Sequence, residues 1–140
     1  MGMSNIISDK NDLVPYVLNF ILFLEKKGLT LSPYPKLKFL ETEEYVNDIF
    51  GKTAWYSPED KEITVIITGR HPKDIMRSIA HDLIHHDQNV KGLLKTPDIE
   101  ALSDPNYAKN NKYLNKIEMD AYLRGNILFR EWEDCEKNNS

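Results

Sequence analysis

Apolar residues recur along this chain with two different periods, and the places where the period changes mark its elements. Leu13, Val14, Val17, Leu18, Ile21, Leu22 and Leu24 follow the three-and-four spacing of a helix face. Asn11-Asp12 supplies the N-cap, Pro15 falls in the first turn where it is tolerated, and Lys26-Lys27-Gly28 supplies the stop. After the turn-rich Ser32-Pro33-Tyr34-Pro35 the period shortens to two. Lys36 to Leu40 alternates as a strand, and Thr53 to Tyr56 and Glu62 to Thr68 read as a hairpin around Ser57 to Lys61. Between them Glu43 to Phe50 predicts a short helix closed by Gly51.

Past Gly69 the helical period returns. Pro72 suits the first turn of a helix that runs to about Gln88. A polar connection from Asn89 to about Asn111 follows, long enough to suggest a functional loop. A last helix is expected from Lys112 or Tyr113 to about Glu133, with 134–140 as a polar tail. The order predicts an α+β fold: an N-terminal helix, a small mixed sheet of about three strands, a histidine-bearing helix and a C-terminal helix.

The 140 residues are 41% hydrophobic and 29% charged, which suits one domain over 1–140 with a single core. The net charge is −4, and no Lys/Arg cluster interleaved with aromatics occurs, so nucleic acid is not an expected partner. The apolar run from Val14 to Leu24 is short and interrupted by Pro15, Tyr16 and Asn19, so no membrane span is expected. The one cysteine, Cys135, forms no internal disulfide, and the N-terminus lacks a secretory pattern; together these point to a cytoplasmic protein.

The chemistry concentrates in Ala80-His81-Asp82-Leu83-Ile84-His85-His86. At about 100° per residue Met76, Ile79, Ala80 and Leu83 share one face, while His81 and His85 fall nearly opposite, one turn apart. Two imidazoles so spaced can reach one point off the helix, as a tetrahedral Zn²⁺ requires. On the last helix Glu118 lies within about 60° of Leu114, Ala121, Tyr122, Gly125, Phe129 and Trp132, so its carboxylate points into an apolar stripe and needs a positive partner. Two arrangements meet that need. One is a buried ion pair with His86 or Arg77; the other is a third ligand completing a His81, His85, Glu118 set around one Zn²⁺ per chain. Asp120 and Arg124 fall on the opposite, solvated side.

These residues also carry a resemblance. Ala80 to His86 resembles the Ala-His-Glu-Leu-x-His-His helix of small zincin metallopeptidases, and Glu118-Met119-Asp120-Ala121-Tyr122 is similar to the downstream Glu-x-x-Ala motif of gluzincins. The element order from about 53 to 133 is similar to a minimal zincin fold, and more loosely to phage-encoded proteins of that type. The resemblance implies a metallopeptidase acting on peptide or protein substrates, with His81, His85 and Glu118 as zinc ligands and the residue after the first histidine as general base. That residue is Asp82 where the family has Glu. It is shorter by one carbon–carbon bond, roughly 1.5 Å, and a displacement of that size can cost on the order of 100-fold in rate. Asp82 reads alternatively as an exposed helix-face carboxylate paired with Arg70 or Lys73.

The remaining candidates read as structural: His86 as a hydrogen-bonding residue, His71 as a turn residue, Tyr122 as core with its hydroxyl at the rim, and Cys135 as a free surface thiol. Two other functions fit parts of the pattern. The Glu-to-Asp departure suits a metal-retaining protein-binding module that pairs a sheet edge with an extended segment. His81-Asp82 also suits the dyad of an HD-type phosphohydrolase, although the strong hairpin argues against that all-helical fold.

Overall fold

The structure, a computed structural model, describes residues 13–42, 53–94 and 112–139. Among these residues are three helices and a three-stranded mixed sheet: α1 (Leu13–Lys26), β1 (Lys36–Leu40), β2 (Ala54–Ser57), β3 (Glu62–Ile66), α2 (Pro72–Val90) and α3 (Lys112–Asn139). The α+β class follows directly. The N-cap expected at Asn11-Asp12, the helix expected over 43–50 and most of the polar connection lie outside the described residues.

Helix α1 buries Leu13, Val17, Phe20, Ile21 and Leu24, one stripe of the apolar pattern. It stops where expected. Gly28 takes φ +98°, a left-handed value that suits glycine, and the amide of Leu29 returns to the carbonyl of Leu24 at 3.1 Å. In the sheet, β3 is central and runs parallel to β1, with Lys36 opposite Glu62, and antiparallel to β2, with Ser57 opposite Glu62. The β-branched run Ile63-Thr64-Val65-Ile66 is buried throughout, as a strand covered on both faces should be. β3 ends at Ile66 rather than Thr68, where Arg70 turns back to the carbonyl of Ile66 at 2.9 Å.

Helix α2 begins at Pro72 with His71 as its N-cap, the ring Nδ1 accepting from the amide of Lys73 at 3.0 Å. This confirms Pro72 in the first turn and gives the turn residue His71 a definite task. A two-faced helix was expected, but α2 is enclosed on nearly every side from Ile79 to Gln88, because α3 covers the face that carries the histidines. The two helices run antiparallel along one seam. Its pairs run from Lys73 with Glu133, through Arg77 against the Phe129 ring, to Gln88 with the carbonyl of Ile117.

Helix α3 continues to Asn139, where the sequence reading ended the helix near Glu133 and placed a polar tail. No glycine or proline interrupts Glu133 to Asn139, and Trp132, 1% exposed, anchors the preceding turn. Trp132 packs on Phe20 at 5.2 Å between centroids and donates its Nε1–H to Asn19 at 2.8 Å. Asn19, a polar interruption of the α1 stripe, is thereby satisfied. Among the described residues no helix is long and apolar enough to cross a membrane.

Candidate metal centre

The turn spacing of α2 puts His81 and His85 on the seam, with ring centroids 4.8 Å apart at 84°. Glu118 of α3 meets both. Its Oε1 lies 2.8 Å from His81 Nε2 and its Oε2 lies 3.2 Å from His85 Nε2. One ligand atom from each of the three residues falls within 4.8 Å of the others, a group able to hold a metal ion. The sequence-predicted set is therefore brought together. Glu118 is at the seam rather than deep in the stripe, its side chain 21% exposed, and neither Arg77 nor His86 is its partner. Arg77 pairs with Asp74, and His86 is engaged elsewhere.

The close approach of the helices depends on one residue. A Cβ at Gly125 would lie 3.3 Å from His81 Cα and 3.4 Å from its amide nitrogen, so glycine lets α3 come against the backbone of the first histidine. Beside it the Tyr122 ring packs on His81 at 4.5 Å. Tyr122 is 55% exposed, not core as the helical angle suggested, and forms the outer wall of the site.

His85 is held from behind. Its Nδ1 lies 2.8 Å from Gln88 Oε1, and the amide nitrogen of Gln88 donates to the Ile117 carbonyl at 3.0 Å and to Asp120 Oδ2 at 2.8 Å. Arg124 binds both Asp120, at 2.6 Å, and the fully buried Asp87, at 3.1 Å. Asp87 accepts from the amide of Thr30 at 2.7 Å. The sequence reading missed this chain and set Asp120 and Arg124 aside on a solvated face. Their i,i+4 spacing was a visible signal, but the residues they meet on α2 come from packing.

Electrostatics follow the same contacts. Burial disfavours the charged His85 ring, but the hydrogen bond and charge of Glu118, with help from Asp82 and Gln88, raise its pKa overall. Burial likewise opposes the Asp120 charge, yet the hydrogen bonds from Arg124 and Gln88 hold its pKa below the ordinary value.

Asp82 is 4% exposed and so is no surface carboxylate; Arg70 and Lys73, its suggested partners, are engaged with Ile66 and Ser78 and with Glu133. Its charge acts on His85 and on Tyr56 of β2. The Tyr56 hydroxyl is pushed up to about 12, first by burial and also by Asp82, against a hydrogen bond from Asn89. His86 is fully buried and structural, as read from sequence. Its Nε2–H faces the carbonyls of Leu31 and Pro33 at 3.0 and 2.8 Å, leaving Nδ1 to accept from Tyr56 at 2.7 Å. Cys135 is an exposed free thiol.

A groove of about 330 Å³ opens further along the seam, lined by Lys73, Arg77, Asn126, Phe129, Arg130 and Glu133. It holds an ion-pair cluster rather than the histidines, and the group able to hold a metal ion is His81, His85 and Glu118. No family model matches the chain, and no curated protein or solved structure does either.

Proposed function

We propose that this protein is a zinc-dependent hydrolase of peptide bonds, of the zincin kind, acting on a peptide or protein substrate. The observation that carries the reading is the convergence of three neutral or anionic donors on one small volume. Each Glu118 oxygen faces an imidazole Nε2, and atoms that both carry lone pairs meet at these distances only with a proton or a metal ion between them. Two histidines and one glutamate are the donor set of catalytic zinc sites, which leave a fourth position open. When bound, the metal supplies Lewis acidity, making a water acidic and a carbonyl electrophilic near neutral pH.

The chain's own residues do the rest. Asp82 follows the first histidine directly and takes the proton of the attacking water, then returns it to the leaving amine. Tyr122 walls the outer side of the site beside His81 and limits how a substrate approaches.

Elemental analysis of protein purified without a histidine tag or added metal tests the metal. About one zinc per chain is expected, lost in His81→Ala and in Glu118→Ala; full stoichiometry in either variant removes that residue from the site. Asp82→Glu then tests the base. Restoring the longer carboxylate should raise peptide hydrolysis by on the order of 100-fold.

A second reading, a metal-holding protein-binding module, is favoured by the burial of Asp82, whose 4% exposure sets its carboxylate back from solvent. Among the described residues β2 is an edge strand and offers a surface for pairing with an extended segment. Hydrolysis absent from both the parent and Asp82→Glu, with zinc retained, selects this reading.

A further inference from the structure

The buried amide of Gln88, on the inner side of the histidine pair, both donates and accepts. Its side chain has no solvent exposure and three neighbours: His85 Nδ1 at 2.8 Å, the Ile117 carbonyl at 3.0 Å and Asp120 Oδ2 at 2.8 Å. A carbonyl and a carboxylate can only accept, so the amide nitrogen must face them. That orientation turns Oε1 toward His85. An oxygen in that place can only accept, so the ring must carry a proton on Nδ1.

We infer that Gln88 is a positioning residue that keeps a proton on His85 Nδ1, so that Nε2, which faces Glu118, is the ring nitrogen left to ligate a metal. The inference rests on the proposed metal site and concerns how the chain prepares it. The orientation of the amide is itself fixed from behind: Asp120 is clamped by Arg124, and Arg124 by the buried Asp87. A glutamate at 88 would place another carboxylate against Asp120, whereas the neutral amide serves an acceptor and a donor side at once. His81 has no such support. Its Nδ1 is buried without a hydrogen-bond partner among the described residues, which makes His85 the preorganised ligand of the pair.

The ring nitrogens of His85 test this directly in protein labelled with ¹⁵N-histidine. Metal-free Glu118→Ala at alkaline pH removes the competing carboxylate and leaves Gln88 as the hydrogen-bond partner of the ring among the described residues. The expected result is a proton on Nδ1, the less favoured form of free histidine in water. Adding Gln88→Met, of similar length but with no hydrogen bond to offer, should return the proton to Nε2. In the otherwise unaltered chain Gln88→Met should weaken zinc binding about 10–100-fold, with His81 and Glu118 intact.

A proton on Nε2 in Glu118→Ala alone overturns the inference and needs no second variant to fold. Unchanged zinc affinity in folded Gln88→Met overturns it as well. Failure of the parent protein to bind zinc would defeat the metal site instead, and the tautomer in Glu118→Ala would still decide whether Gln88 sets the ring.

Discussion

Glu118 spends one oxygen on each histidine, and that sharing makes the site sensitive to protons as well as to metal. In metal-free protein the raised pKa of His85 means that its charged form stabilises the fold. This contribution is complete below the unfolded value of about 6.5 and is lost as pH rises through the higher folded value. Asp120 works in the opposite direction: with its folded pKa depressed, its contribution is present above about 3.9 and is lost as pH falls through the folded value. Urea midpoints of chelator-treated protein should therefore decline both above about 6.5 and below about 3.9; a midpoint that keeps rising from 6 to 9 would count against the His85–Glu118 contact. A metal must displace the Nε2 proton, so zinc affinity should increase with pH over the same upper range, as titration at fixed ionic strength would record.

The next scale is the seam between α2 and α3. Its spacing is set where Gly125 meets the backbone of His81, and no flexible side chain lies there to give way. Gly125→Val should force the helices apart and cost about 1–3 kcal/mol, read from denaturant unfolding. Because Glu118 and His81 sit on opposite helices, the same variant should also weaken metal binding. Stability lost with affinity unchanged would mean that the helices separate away from the site. How much of this was legible differs by element. The His81, His85 pair could be read because both lie on one helix, and Glu118 because a carboxylate in an apolar stripe requires an explanation. Tyr122 was misplaced because helical angle alone cannot say how wide a face the neighbouring helix covers; α3 leaves it half in solvent. The length of α3 was underestimated because polar residues without glycine or proline can prolong a helix whose preceding turn is anchored by Trp132.

In the molecule as a whole, Asp87 ties three separate segments together. It accepts from Thr30 after α1, pairs with Lys91 beyond the end of α2, and meets Arg124 of α3, while its own side chain is fully buried. Asp87→Ala leaves the Thr30 amide and Arg124 without that acceptor. A loss of about 2–3 kcal/mol is expected, since hydrogen bonds to charged groups are among the stronger ones and Arg124 remains partly solvated. Unfolding in urea should show a lower midpoint with an unchanged slope. The period of apolar residues along the chain determined the helices, the strands and the pair of histidines, because those features depend on neighbours within a few residues. Only the tertiary structure decided that α2 is enclosed, that Asp82 is buried, and that the amide of Gln88 is held by Ile117 and Asp120 of α3. The contacts behind such outcomes join groups 29 positions apart, as Gln88 and Ile117 are, or 57 apart, as Thr30 and Asp87 are, and which such groups meet is settled by how the helices pack.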